Sequence, residues 1–326
     1  MADNILYAFY DLSVAPTTFD FVKFLAIAEL HRQQNNCICI HAVIVSGLQD
    51  GFRKGDLSAF NRGHSGYSKD IMDWRLRNII IPCCWQFPTC KEVSVFKNRE
   101  EANEFYESVV TYVYPPGYSV KKPIIRHYLK YIVNAVRSGK DVEYITANEQ
   151  ALVYVKDWID YNVGDRKPIV ITLRELPYNS ARNSNLVAWA SFAKSLDKDV
   201  YVPIFLRDTE RTLTEVPNEL EDMLVFNEAS FNIDLRTALY ELSYLNMSIN
   251  NGPMYLFLLN KKARGLVFKM VTNEVASVTY YVMSMHGLKK GDQFDSFLPN
   301  KRLVWEVDST NVLVREFNKS CKEIGD

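Results

Sequence analysis

Residues 169–206 read IVITLRELPYNSARNSNLVAWASFAKSLDKDVYVPIFL, and their pattern decides the fold class. Ile169 to Leu173 is a short apolar run with the length and composition of a buried strand. A ten-residue, mostly polar loop follows, and then Ser184 to Leu196 sets apolar residues at helical spacing behind an Asn-Ser capping pair. A second apolar run, Tyr201 to Leu206, closes the unit. Strand, polar loop, helix and strand in that order predict a parallel sheet with its helices on the faces.

Read outward toward the carboxyl end, the alternation continues. Strands are predicted at Leu224 to Asn227, Asn246 to Ile249, Leu266 to Met270 and Leu303 to Glu306. Helices are predicted at Asp234 to Ser243, from a start at Gly252-Pro253, and at Thr310 to Lys322. Toward the amino end, Gly164-Asp165-Arg166-Lys167-Pro168 is short, polar and closed by proline, which reads as a linker. Before it lie strands at Ile5 to Tyr10, Cys37 to Val45, Glu92 to Phe96 and Tyr112 to Tyr114. Helices are predicted at Thr18 to Gln34, Ser68 to Asn78, Asn98 to Val109, Pro123 to Ser138 and Ala147 to Tyr161. The expectation is an α/β protein of two Rossmann-like open parallel-sheet domains, residues 1–165 and 166–326.

The chain of 326 residues suits two domains of ordinary size, and 48% hydrophobic with 24% charged residues describes a globular protein rather than a disordered one. With 38 basic against 39 acidic residues the net charge is −1, so no bulk electrostatic case exists for a nucleic-acid partner. The six cysteines lack CxxC spacing and read as reduced, mostly buried thiols, and no histidine stands at metal-ligand spacing, so no metal site is expected. The opening MADNILYAFYDLSV has neither a basic n-region nor an apolar h-region, and no 18-residue apolar run occurs. A cytoplasmic location is expected, with contact at the inner face of the membrane left open.

In open α/β sheets the ligand lies beyond the carboxyl ends of the strands, so the residues directly after each strand are the informative ones. After Leu173 come Arg174 and Glu175, then Tyr178, Arg182, Asn183 and Ser184. Two arginines beside a helix start fit a phosphate group; the alternative is that they pair with Glu175 or Asp208 on a solvated rim. A second candidate is Asn250-Asn251-Gly252-Pro253, where a strand runs into a tight turn and a helix end; the alternative is a glycine that only satisfies the turn. Asp208 and Glu228 stand after strands and are candidate ribose acceptors or plain loop carboxylates. In the amino half, Asp11 ends the first strand and is a candidate general base, or else a loop cap. The long loop 47–68 adds Arg53 and His64, and beyond it Asp70, as candidates on the acceptor side. His41, inside an apolar strand, reads as a satisfied core histidine.

There is no GxGxxG after the first strand and no Walker, GxSxG, HExxH or DxD motif. A classical dehydrogenase, a P-loop NTPase, an α/β-hydrolase and a zincin are thereby disfavoured, as is metal-dependent glycosyl transfer on a single Rossmann-like domain.

The run ITLRELPYNSARNSNLVAWASFAKSL, then VYVPIFLRDTE, then FNIDLRTALYELSYLNMSINNGPMYL, resembles the nucleotide-binding domain of GT-B glycosyltransferases, especially bacterial members from surface-polysaccharide clusters, and more distantly the lipopolysaccharide heptosyltransferases. The likeness covers residues 168–270; the first half matches by architecture. It implies two domains facing a cleft, Trp189 as an inward packing residue, and Asn251-Gly252-Pro253 as the turn that grips a donor diphosphate. It further implies a metal-independent transfer from a nucleotide-sugar to a glycan or other hydroxyl acceptor, with the nucleotide-sugar as substrate and no cofactor. The heptosyltransferase turn carries Ser/Thr-Asp-Thr/Ser-Gly and a following histidine, whereas this chain has Asn250-Asn251-Gly252-Pro253-Met254. Two further readings therefore stand beside the first: a nucleotide-sugar epimerase of the same fold, and a non-catalytic binding or scaffold protein on that frame.

Overall fold

A computed structural model describes residues 4–54, 67–109, 112–177 and 179–325 of the chain. It divides into two compact units at Ile132/Val133.

The first unit alternates β1 (Ile5–Asp11), α1 (Asp20–Gln34), β2 (Cys39–Val45), α2 (Lys69–Arg75), α3 (Ile81–Trp85), β3 (Cys90–Phe96), α4 (Arg99–Ser108) and β4 (Tyr112–Tyr114). The helix predicted to stop at Asn78 instead runs on to Trp85, because residues 76–80 form one wide turn in which the Ile81 N–H donates to the Leu76 carbonyl. All four strands are parallel, in the order β3-β2-β1-β4. The run Cys37 to Val45 was apolar because β2 is an inner strand with both faces covered. Gly47 follows it where only glycine fits: a Cβ there would stand 2.6 Å from the Leu12 carbonyl oxygen and 2.4 Å from the Phe52 backbone.

α5 (Leu129–Arg137) spans the division between the units. It begins six residues later than predicted, past Pro123, with residues 123–128 outside any helix. The second unit contains α6 (Glu149–Asn162), β5 (Lys167–Thr172), α7 (Leu186–Ser195), β6 (Tyr201–Leu206), β7 (Leu224–Val225), α8 (Glu228–Phe231) and α9 (Ile233–Leu242). It continues through β8 (Leu245–Ile249), α10 (Met254–Leu258), β9 (Gly265–Phe268), α11 (Tyr280–Met285), β10 (Lys301–Leu303) and α12 (Thr310–Ile324).

The division differs from the predicted boundary at 165/166. Gly164, at φ +65°, turns α6 directly into β5, whose first residues are Lys167 and Pro168. The stretch before α6 is held by the second unit, since the Ala147 N–H donates to Glu241 Oε2 at 2.9 Å and Ile145 bridges Asn260. What reads as a linker is thus a tight helix-to-strand turn.

The six parallel strands lie in the order β10-β9-β8-β5-β6-β7. Counted from the first strand of the unit, this is the 3-2-1-4-5-6 arrangement of a Rossmann sheet, and the order reverses between β5 and β8. Thr172 of β5 pairs with Ser248 of β8 at that reversal. One face of the sheet is covered by α7 and α12, with Ile169, Ile171, Trp189, Phe192, Met247, Leu313 and Phe317 in a continuous core. α7 forms because Asn185 caps it, accepting from the Ala188 N–H at 3.2 Å, and because Ala188, Trp189, Phe192 and Ala193 put one stripe against the sheet. Trp189 is fully buried and its indole N–H donates to Asp308 Oδ2 at 3.0 Å.

Candidate functional site

The mouth of a Rossmann sheet lies where the strand order reverses, here beyond the carboxyl ends of β5 and β8. The loop after β5 returns on itself before α7. Ser184 Oγ accepts from the Arg174 N–H at 2.9 Å, and the Ser184 N–H donates to the Arg174 carbonyl at 3.0 Å. Inside this closed loop the Arg174 guanidinium, 6% exposed, donates to the carbonyl of Asn179 at 3.2 Å and to Asn183 Oδ1. Asn183 also accepts from Leu176 N–H at 3.2 Å and donates to its carbonyl at 2.7 Å. Arg174, Asn183 and Ser184 therefore fix the loop's shape, and Arg182 reaches outward from it. Its Nη2 donates to the Asn250 carbonyl at 3.2 Å, joining the β5 loop to the turn after β8.

That turn departs from the predicted helix end. α10 has five residues, and Pro253 precedes rather than opens it. Asn251 Oδ1 accepts from the Met254 N–H at 3.1 Å, while the Tyr255 and Leu256 N–H groups go to the carbonyls of Gly252 and Pro253. The first-turn donors expected to face a phosphate are consumed within the turn, so no helix terminus supplies the positive charge here. Asn251 is 5% exposed, and its Nδ2 has no partner. Arg182, Asn251, Gly252 and Pro253 thus meet at one strand-end junction.

Lys269, just past β9, adds a cation that the sequence reasoning missed. It holds φ +50°, and its Nζ donates to the Asn183 carbonyl at 3.0 Å and lies 3.7 Å from Asp308 Oδ1. Asp308 is 2% exposed, and its Oδ2 also accepts the Asn185 N–H at 2.7 Å. Asp308 and Lys269 thereby hold the far end of the arginine loop.

Two further arginines, Arg207 and Arg211, follow β6, and the strand-end rule applied to LRD at 206–208 would have found the first. Arg207, 2% exposed, pairs with Glu175 at 2.8 Å and donates to the carbonyls of Thr214 and Glu215 at 3.2 and 3.0 Å. Arg211 Nε donates to the Glu175 carbonyl at 3.4 Å. Glu175 thus engages Arg207. The loops after β5 and β6 border an open cleft of about 480 Å³ lined by Arg174, Leu176, Ser184, Arg207, Arg211 and Glu215 among others.

The two candidate ribose acceptors separate. Asp208 is half-buried beside this cleft, and its Oδ2 accepts from the Glu175 N–H at 3.4 Å. Glu228 is exposed on the first turn of α8, beyond the edge strand β7 and two strands removed from β5, which takes it away from the mouth. β7 itself ends at Val225, two residues sooner than predicted.

In the first unit, Asp11 does end β1, but it is fully buried. Arg99 Nη1 and Nη2 donate to its two oxygens at 2.8 and 3.0 Å, the Tyr118 hydroxyl donates at 2.9 Å, and Ser13 donates through both its N–H and Oγ. Arg99 also donates to the carbonyls of Ser46 and Val120, both at 2.6 Å. A carboxylate so saturated, facing a guanidinium fork, is a strong tie between β1, β2, α4 and the 118–120 segment. The structure places Asp11, the candidate general base, within this network. Burial, and then the Asp11 charge, push the Tyr118 phenol far above its ordinary pKa. Arg53 lies half-buried after the Gly47–Phe52 turn, whereas His64 and Tyr178 lie outside the described residues. His41 is satisfied as expected: Nε2 is 2.8 Å from Ser94 Oγ and Nδ1 is 3.0 Å from Glu92.

Compared by sequence, the chain matches no protein-family model and no curated protein. Its fold, however, is that of the GT-B glycosyltransferases, two α/β units each built on a parallel sheet. A glycosyl transferase family 9 protein from Veillonella parvula aligns over 99% of this chain and 98% of its own, at 12% identity and a TM-score of 0.51. The E. coli ADP-heptose lipopolysaccharide heptosyltransferase II aligns over 99% of this chain and 100% of its own, at 10% identity and a TM-score of 0.53.

Proposed function

We propose that the protein transfers a sugar from a nucleotide-sugar to a hydroxyl acceptor on a glycan or similar molecule. The observation that carries this reading is the set of cations at the reversal of a Rossmann sheet: Arg182 bridging to the Asn250 carbonyl, Arg174 locked inside the same loop, and Lys269 behind it. Departure of a nucleoside diphosphate builds negative charge on its oxygens. Prepositioned guanidinium forks oppose that charge without reorganising, which lowers the barrier to glycosidic bond cleavage. Asn251, with a buried amide donor to spare, and the Gly252-Pro253 turn stand at the same place. In this reading the charge is met by side chains, with no metal required. The proposed donor is a substrate that leaves as nucleoside diphosphate, and no cofactor enters. A cytoplasmic setting, with contact at the inner membrane face, belongs to the same proposal; no helix among the described residues is long and apolar enough to cross a membrane.

The test is release of nucleoside diphosphate from a panel of nucleotide-sugars offered with glycan acceptors. Acceptor-dependent release, lost in Arg182→Ala, is the expected result. Epimerised sugar formed without acceptor would favour the epimerase reading instead. Donor binding with no turnover would favour a binding or scaffold protein, a reading supported by the hydrogen bonds that occupy both oxygens of Asp11.

A further inference from the structure

β2 and β3 bring together three side chains that the donor site does not use. Glu92, Ser94 and Phe96 alternate along β3 onto one face of the first sheet, the face that carries His41 on β2. The register slips by one residue just before them: Ile40 pairs with Cys90, but His41 pairs with Glu92 and Val43 with Ser94. Without that slip Lys91 would stand opposite His41. His41 Nδ1 lies 3.0 Å from Glu92 Oε2, and its Nε2 lies 2.8 Å from Ser94 Oγ. A carboxylate only accepts, so the imidazole proton sits on Nδ1 and the Nε2 lone pair faces the Ser94 hydroxyl. His41 is 7% exposed, and burial lowers its pKa, which keeps the ring neutral and able to take a proton near neutral pH. Hydroxyl, imidazole and carboxylate thus stand in the order and at the distances of an activated serine nucleophile.

We propose that Ser94, His41 and Glu92 form a second, hydrolytic site that cleaves esters of small apolar acyl groups. Ser94 is half-buried on an edge strand, and the Glu92 side chain beside it is 63% exposed, so the constellation opens to solvent. The neighbouring surface is aromatic: the Tyr7 and Phe105 rings lie 5.4 and 5.6 Å from the His41 ring, and Phe96 lies 5.1 Å from Phe105. Those rings favour an apolar acyl group over a charged one. β3 is bonded to β2 on one side, and alternate N–H groups of such an edge strand turn outward, the kind of donor that meets an oxyanion. In the reaction Ser94 Oγ bonds to the ester carbonyl carbon as its proton passes to His41 Nε2. The bond from that carbon to the alcohol oxygen then breaks, and the alcohol leaves with the proton. Water, deprotonated by His41, adds to the acyl carbon; the bond to Ser94 Oγ breaks and Ser94 recovers the proton as the acid departs. Glu92 positions the imidazole and holds its tautomer.

The experiment treats the full chain with a fluorophosphonate, locates the adduct by peptide mass spectrometry, and follows hydrolysis of 4-nitrophenyl acetate. Phosphonylation of Ser94 is expected, with ester hydrolysis that falls about a hundredfold or more in Ser94→Ala and in His41→Gln. Glu92→Gln should lower kcat and leave KM in place, and Glu92→Asp should recover part of the rate, a pattern that lost packing would not give. The adduct is read on the wild-type protein, so that arm does not depend on the folding of a variant. A wild-type protein with no adduct at Ser94, or hydrolysis that persists in Ser94→Ala, overturns the proposal and leaves His41 as a histidine satisfied within its sheet. The donor reading is tested separately, by nucleotide binding, and either can fail without the other.

Discussion

Arg182 Nη2 donates to the Asn250 carbonyl at 3.2 Å, so a residue ten positions past the first strand of the second unit closes on the turn after the fourth. The contact joins the two loops that flank the sheet's reversal.

Replacing Arg182 by alanine is expected to weaken nucleoside diphosphate binding by about ten- to a hundredfold, the range of one to two charge-assisted hydrogen bonds. The half-buried position of Arg182 predicts a stability change of about 1 kcal/mol or less. Calorimetry beside a urea melt separates the two; unfolding of several kcal/mol would show instead that the arginine is structural.

Asp11 and Arg99 should behave in the opposite way. Asp11→Ala leaves a guanidinium with only carbonyl partners, and Arg99→Ala leaves a fully buried carboxylate with the hydroxyls of Tyr118 and Ser13. Breaking a buried pair costs about 3–5 kcal/mol, so both variants should lower the denaturant midpoint of the first unit strongly. Full stability of Asp11→Ala with loss of turnover would support the base assignment.

Burial lowers the pKa of His41 below its ordinary 6.5, the Glu92 carboxylate opposing this only in part. The folded protein then holds fewer protons at this site than the unfolded chain does between the two values. The associated stability is present above pH 6.5 and is lost as pH falls through the folded pKa. His31, lowered by burial and by Arg126, acts in the same direction. Chemical denaturation between pH 7.5 and about 5 should show a decline in stability that is shallower in His41→Gln; an unchanged slope would refute the assignment.

Gly47→Ala sets a methyl group within 2.6 Å of the Leu12 carbonyl oxygen and 2.4 Å of the Phe52 backbone, neither of which is a flexible side-chain end. A cost of about 1–3 kcal/mol follows from such overpacking, readable as a drop in melting temperature. A neutral substitution would mean that the 47–52 turn shifts freely.

The second sheet was legible because its inner strands β5 and β6 are self-contained apolar runs. Residues 169–173, 201–206 and 246–249 recur as strands to within two residues, and the Asn-capped helix between the first two follows at 186–195. Strand ends at the sheet's edges were less so: β7 and β10 are short, and their extent is set by pairing with one neighbour rather than by their own residues. The arginine loop could be located from strand-end polarity, but not its wiring. Arg207 meets Glu175 across 32 positions and Arg99 meets Asp11 across 88, separations over which spacing carries no signal. Asp11 at a strand end looks the same in sequence whether its oxygens are free or saturated. The Gly252-Pro253 helix end looked like an anion site because its length, five residues, and the capture of its N–H groups by Asn251, Gly252 and Pro253 are properties of the folded turn.

The most direct measurement is isothermal titration of the wild-type protein and Arg182→Ala with nucleoside diphosphates in metal-free buffer. Saturable binding to the wild type, weakened tenfold or more in a variant that remains folded, is the predicted result. Absence of binding to the wild type, or equal binding by both proteins, would contradict the placement of a donor diphosphate at the β5/β8 mouth.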